Sequence, residues 1–183
     1  MKVVVLTGPE STGKSWLSQR IAQRFGGRVV GEYVRHFIER EQRDTCYADI
    51  PVIAQGQLAW EDQARAERPH LLILDTHLLS NILWSRSLFG AVPDWLETEL
   101  LRRHYDLHLL LDPRGVPWCD DGQRCQPELQ DRLDFHQACQ HWLQSTNQRF
   151  HAVGGDWQQR WQTTQRQVAA LLASDEEHAG PGQ

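Results

Sequence analysis

Residues 8–15 read Gly8-Pro9-Glu10-Ser11-Thr12-Gly13-Lys14-Ser15, the pattern G-x-x-x-x-G-K-S. The run before it, Lys2-Val-Val-Val-Leu-Thr7, is apolar and β-branched and predicts a buried strand. The run after it, from Ser15 to Phe25, sets Trp16, Leu17, Ile21, Ala22 and Phe25 at helical spacing. Strand, glycine loop and helix in this order are the context of a Walker A loop. Gly8 and Gly13 let the backbone pass close to phosphate oxygens. Successive N–H groups then form an anion nest at the positive end of the helix. Lys14 brings a charge for the β- and γ-phosphates, and the Ser15 hydroxyl is placed to ligate Mg²⁺. The residues assigned to ATP are therefore Gly8, Glu10, Ser11, Thr12, Gly13, Lys14, Ser15 and Trp16. The motif indicates a nucleotide triphosphate and leaves the phosphoryl acceptor open.

Working outward, strands and helices alternate along most of the chain. Arg28 to Gly31 predicts a second strand, His70 to Asp75 a third, Tyr105 to Leu111 a fourth and Arg149 to Val153 a fifth. Helices are predicted over Tyr33–Arg43, Pro51–Glu67 with Asp49 as its cap, Leu78–Ser87, from Pro93 onward, over Leu129–Ser145 and over Trp157–Ala173. Pro113 to Pro127 reads as a polar loop. Such alternation implies an α/β fold, a parallel sheet covered by helices on both faces. One domain over residues 1–173 is expected, with an acidic, Gly- and Pro-rich tail over 174–183 expected to be disordered.

The chain has 183 residues, enough for one sizeable core. Its net charge of −5 argues against a nucleic-acid footprint. No apolar run nears the ~18 residues of a membrane span. The first residues enter a strand at once, so no leader peptide and a cytoplasmic location are expected. The oligomeric state is left open. The four cysteines, 46, 119, 125 and 139, read as free thiols. A zinc set from Cys119, Cys125, His136, Cys139 and His141 is the competing reading, but it lacks the C-x-x-C knuckle.

In parallel sheets ligands sit beyond the carboxyl ends of the strands. Asp75 ends a Leu-Leu-Ile-Leu run as a Walker B aspartate does, so it reads as a Mg²⁺ ligand beside Ser15, or else as a helix cap. Glu32 and Arg35 follow the second strand and offer an acceptor and a donor for sugar hydroxyls; Glu32 also suits a general base. The loop Val116-Pro-Trp-Cys-Asp-Asp-Gly-Gln-Arg124, continuing to Arg132, reads as a lid whose arginines balance phosphoryl charge. Five of the eight tryptophans (16, 60, 95, 142 and 161) have core spacing. Trp118 and Trp84 are the two placed near a planar ligand, with simple packing as the alternative for each.

Taken together, the Walker loop, Glu32-Tyr33-Val34-Arg35, Asp75-Thr76 with Trp84, and Pro117-Trp118-Cys119-Asp120-Asp121-Gly122-Gln123-Arg124 with Arg132 resemble the nicotinamide riboside kinases. The resemblance covers about residues 2–170 and extends to the kinase module of bifunctional members. It implies a P-loop NTPase-type three-layer fold with a five-stranded parallel sheet of order 2-3-1-4-5 and a lid. It implies ATP and nicotinamide riboside as substrates, Mg²⁺ as cofactor and nicotinamide mononucleotide as product. By the same resemblance Lys14, Asp75, Glu32, Arg124 and Arg132 are catalytic. Glu32, Tyr33, Arg35, Trp84, Trp118 and Asp121 meet the riboside. Aromatic faces suit its cationic ring. The adenylyltransferase domain of the bifunctional members is expected to be absent, since the phosphate loop starts at residue 8.

Overall fold

In the computed structural model, residues 1–176 are described, and the strand ahead of the glycine loop becomes β1 (Lys2–Thr7) at the centre of a sheet. The loop opens α1 (Lys14–Phe25). Then follow β2 (Arg28–Val30), α2 (Tyr33–Glu41), α3 (Ile50–Ala66) and β3 (Leu71–Asp75). Next come α4 (Leu78–Phe89), α5 (Trp95–Leu101) and β4 (Leu107–Leu111). The last elements are α6 (Leu129–Ser145), β5 (Phe150–Val153) and α7 (Trp157–Glu176). All pairings are parallel and the strand order is 2-3-1-4-5. This is the expected order. It places β1 between β3, with Leu6 opposite Asp75, and β4, with Leu6 opposite Leu109.

The apolar runs of β1, β3 and β4 have no polar alternation because both faces are covered. Val3, Val5, Leu72, Leu74 and Leu110 face α3 to α6, where Ile82, Leu96 and Leu143 meet them. Val4, Leu6, Ile73, Leu109 and Leu111 face the other way, onto Leu17 and Ile21 of α1 and Val168 and Leu171 of α7. No helix among the described residues is long and apolar enough to cross a membrane.

Several boundaries differ from the sequence reading, each for a local reason. Asp49 precedes α3 but does not cap it. Its carboxylate is taken by Arg43, at 2.7 and 2.9 Å, and by the Cys46 amide at 2.8 Å. Helix α4 runs on to Phe89, where Gly90 adopts φ 67° and ends it. The closing helix continues to Glu176, so residues 174–176 of the expected tail are helical. Residues 177–183 of that tail lie outside the described residues.

A buried polar cluster joins α3 to the segments that flank β3 and β4. Glu61 accepts from Tyr105 Oη at 3.3 Å and from Arg65 Nε at 2.8 Å, with Arg103 Nη1 at 3.3 Å. The Tyr105 ring stands edge-on to His77, 4.9 Å away. His77 Nε2 lies 3.3 Å from His108 Nε2, and His108 Nδ1 lies 3.3 Å from the Arg149 carbonyl. A carbonyl only accepts, so His108 carries its proton on Nδ1 and receives the His77 Nε2–H. Burial keeps both rings neutral: it pushes His77 well below its usual value, helped by His108, and His108 down to about 4.

Candidate active site

The phosphate loop is built from close approaches. Gly8 has φ 134°, and a Cβ there would stand 2.7 Å from the Leu111 carbonyl. Gly13 has φ 90°, and a Cβ there would meet the Trp157 ring at 2.4 Å. Only glycine meets both demands at either position. Thr12 is buried and donates to the Pro9 carbonyl at 2.9 Å, tying the loop across itself. Lys14 Nζ is held over the loop by the carbonyls of Gly8 (3.2 Å) and Pro9 (2.9 Å).

Arg160 fixes the loop from behind. It is fully buried, and its guanidinium donates only to carbonyls: Gly155 (2.8 Å), Thr12 (3.3 Å), Asp112 (2.8 Å) and Arg114 (2.7 Å). One side chain thus joins the phosphate loop to the turns after β4 and β5. The Trp157 indole sits beside it, edge-on to Trp16 with centroids 5.1 Å apart.

At the end of β3, Asp75 is buried, and its Oδ1 has no hydrogen-bond partner among the described residues. Burial and the negative Glu32 push its carboxyl up to about 6, while Lys14, the Ser15 hydroxyl and Arg35 pull the other way. The N-cap of α4 is His77, so Asp75 does not cap that helix. A buried carboxylate oxygen lacking a partner, beside a serine hydroxyl, is a donor set suited to a small hard cation.

Glu32 follows β2. Its position is set by Gln57 of α3, which accepts from the Tyr33 amide (2.8 Å) and donates to the Gly31 carbonyl (3.0 Å). Glu32 Oε2 pairs with Arg35 Nε at 2.8 Å, and Oε1 stands 4.0 Å from Lys14 Nζ. Arg35 then reaches Asp121 of the lid at 2.8 Å, and Asp121 pairs with Arg124 at 3.2 Å.

These groups surround a cavity of about 680 Å³, within the range of small-molecule sites. Gly13, Lys14, Ser15, Trp16 and Trp157 line it on the phosphate-loop side. Ile38, Ile53, Trp84 and Phe89 line it from α2, α3 and α4, with Gln57 and Asn81 as polar groups among them. Glu10, Ser11, Thr12, Glu32, Arg35 and Arg124 also reach the wall.

Six other residues named from the sequence do not line the cavity. Gly8 and Asp75 lie just beneath it, by the contacts given above. Tyr33 packs edge-on to Trp60 at 4.9 Å and over Gly56, where a Cβ would be 2.2 Å from its ring. Trp118 is held by its indole N–H, which donates to Glu10 at 2.7 Å. Asp121 joins the lid to Arg35. Arg132 is buried in the first turn of α6, with Nε and Nη1 lacking hydrogen-bond partners among the described residues. Trp84 does reach the cavity and also packs on Phe135, 5.0 Å between centroids. Cys119 and Cys125 are exposed on the lid and Cys139 is buried in α6. Among the described residues no group of three His, Cys, Asp or Glu stands together as a metal site.

The sequence reading gave no site role to Gln57 or Trp157, which line the cavity. Trp157 had a signal, since it directly follows the Gly154-Gly155-Asp156 turn after the fifth strand. Gln57 had none, because its role depends on α3 packing against the β2–α2 turn.

Known proteins share this fold. The trifunctional NAD biosynthesis/regulator protein NadR of Escherichia coli (strain K12) is 25% identical over 157 residues, covering 84% of this chain and 38% of that protein. The chain therefore spans well under half the length of that curated relative. A crystal structure of NadR protein in complex with NR superposes with a TM-score of 0.74 at 20% identity, covering 94% of this chain and 52% of that one. Deoxyadenosine kinase from M. mycoides, with products dCMP and dCDP, superposes with a TM-score of 0.64 at 13% identity, covering 94% and 99%. At these identities the likeness is one of fold. One family model, that of the AAA domain, matches residues 3–160, and the chain belongs to the AAA domain family.

Proposed function

We propose that this chain is an ATP-dependent nucleoside kinase, that nicotinamide riboside is its acceptor, and that it acts in the cytoplasm on small molecules. One observation carries the reading: Glu32 stands 4.0 Å from Lys14 at the mouth of a cavity that continues to Trp84. A carboxylate next to the phosphate-loop lysine serves a hydroxyl that attacks a phosphoryl group. The likeness to NadR in complex with NR supports the choice of acceptor.

In this mechanism Lys14 and the loop amides hold the β- and γ-phosphates. Glu32 accepts a hydrogen bond from the acceptor hydroxyl and takes its proton as the new P–O bond forms. Phosphoryl transfer proceeds through a loose transition state, so orientation by Glu32 outweighs its basicity. Arg35 holds Glu32 in place, and Arg124 adds positive charge from the lid. Ser15 and Asp75 would hold Mg²⁺, which when bound neutralises phosphoryl charge. The Trp84 face suits a cationic pyridinium, a contact worth ~0.5–2 kcal/mol.

The test is a coupled ADP-release screen of the purified chain with ATP and a nucleoside panel that includes nicotinamide riboside and deoxyadenosine. Nicotinamide riboside should stimulate ADP release most and yield nicotinamide mononucleotide. Stimulation by another nucleoside alone would reassign the acceptor, and no stimulation by any would overturn the kinase reading.

A further inference from the structure

Glu10 is an acid inside an anion-binding loop. A free carboxylate there would repel the phosphates that the loop exists to hold. Its charge is instead turned to the lid. Oε1 accepts from Trp118 Nε1 at 2.7 Å and from the Gln126 amide at 2.8 Å. Oε2 accepts from the Cys125 amide at 3.1 Å. The next loop residue does the same: Ser11 Oγ accepts from the Cys119 amide at 3.0 Å and from Arg124 Nη1 at 2.9 Å. Two variable positions of the glycine loop therefore grip the lid segment at both of its ends.

The same segment is held from the acceptor side through Asp121, Arg35 and Glu32, at 2.8 Å for each pair. A continuous chain of contacts thus runs from the phosphate loop through the lid to the carboxylate beside Lys14.

We propose that Glu10 is a positioning residue that latches the 117–127 segment over the phosphate loop, so that the acceptor rather than water receives the phosphoryl group. The inference rests on the phosphoryl-transfer reading above but not on the acceptor's identity. In the reaction the latch suppresses, a water oxygen bonds to the γ-phosphorus, the bond to the β–γ bridging oxygen breaks with its electron pair leaving on ADP, and the water's proton passes to solvent. A closed lid raises the barrier to this step by keeping water out. Charge-assisted bonds to one carboxylate are among the stronger ones available for such a closure.

The experiment uses the full chain, with Glu10→Ala and Trp118→Phe as variants. Trp118→Phe keeps the ring but removes one donor to Glu10. Hydrogen exchange reads the latch directly at the amides of residues 119, 125 and 126. Acceptor-free ADP release reads its consequence. Glu10→Ala should speed exchange at Cys125 and Gln126 about tenfold, and should raise acceptor-free ADP release several-fold relative to transfer. Trp118→Phe should shift both in the same direction by less. Unchanged exchange and hydrolysis in Glu10→Ala would overturn the proposal. So would a Trp118→Phe enzyme with a raised acceptor KM and unchanged hydrolysis, because that is the signature of a ring contact. If Glu10→Ala does not fold, Trp118→Phe decides the matter alone. Failure of the kinase reading is seen separately, as a parent chain that neither transfers nor hydrolyses, while the exchange measurement still reports on the latch.

Discussion

Lowering the pH from 7 to 5 should destabilise this fold through its buried imidazoles, and Asp75→Asn should make the loss plain. His108 has an ordinary value of 6.5 that burial lowers to about 4. In the unfolded chain it takes up a proton below pH 6.5, and in the native chain it does not until about pH 4. A group of this kind gives stability that is present above its unfolded value and is lost as the pH falls. At pH 5 the deficit is about 1.5 pH units, or about 2 kcal/mol. His77 is pushed down as well and adds in the same direction. Asp75 acts in the opposite sense. Its raised carboxyl binds a proton in the native chain before it does so in the unfolded one, so acid relieves its strain over the same window. The paired acids Asp49, Asp112 and Asp121 are lowered and enter only below their unfolded values near 4. The parent should thus show a shallow profile between pH 7 and 5, and Asp75→Asn a steep one. Urea denaturation of both chains at pH 7, 6 and 5 measures this. Asp75→Asn should also be the more stable chain at pH 7. If Asp75→Asn keeps constant stability from pH 7 to 5, the neutral imidazole pair is wrong.

Lys14→Ala should lower turnover by ~10²–10³ with the melting temperature unchanged, as loss of one charge-stabilising group does, measured by ADP release. Asp75→Asn should weaken Mg²⁺ dependence of acceptor-free hydrolysis as well as of transfer. Glu32→Gln should spare hydrolysis and reduce transfer, toward the low end of ~10²–10⁴. A metal titration of both reactions separates the two carboxylates, and the reverse pattern would exchange their roles. Trp84→Ala should raise the acceptor KM by more than the ATP KM, since its face lines the α4 side of the cavity. Gly13→Ala should abolish ATP binding in a calorimetric titration, because its Cβ would displace the Trp157 ring.

The fold was readable because its strongest signals were local. The β-branched runs, the glycine loop and the alternation fix a parallel three-layer sheet, and five strands were located to within two residues. Helix ends were less readable where a competing partner intervened, as when Arg43 took the Asp49 carboxylate from its capping role. In the site, chain position alone brings strand-end residues together: Lys14, Ser15 and Glu32 line one cavity. Side-chain direction was not readable. Tyr33, one residue past Glu32, turns onto Trp60 because Gly56 leaves room for its ring. For Trp118 the sequence leaves a ligand platform and simple packing both open, because the acceptor of its N–H, Glu10, is a residue more than a hundred positions away.

The central place of β1 has a consequence for how the molecule is made. Lys2 pairs with Leu71, and Val4 with Leu107, so β1 precedes both of its neighbours in the chain and waits for about seventy residues before its first edge is paired. Until β3 has been synthesised, Val3, Val4 and Val5 travel as an unpaired apolar strand, and one edge stays open until β4 follows, the kind of segment that recruits another chain. Fast closure of α1 onto β1 offers early cover on one face only. Translation speed across residues 71–111 should therefore govern the soluble yield of this chain more than its final stability does.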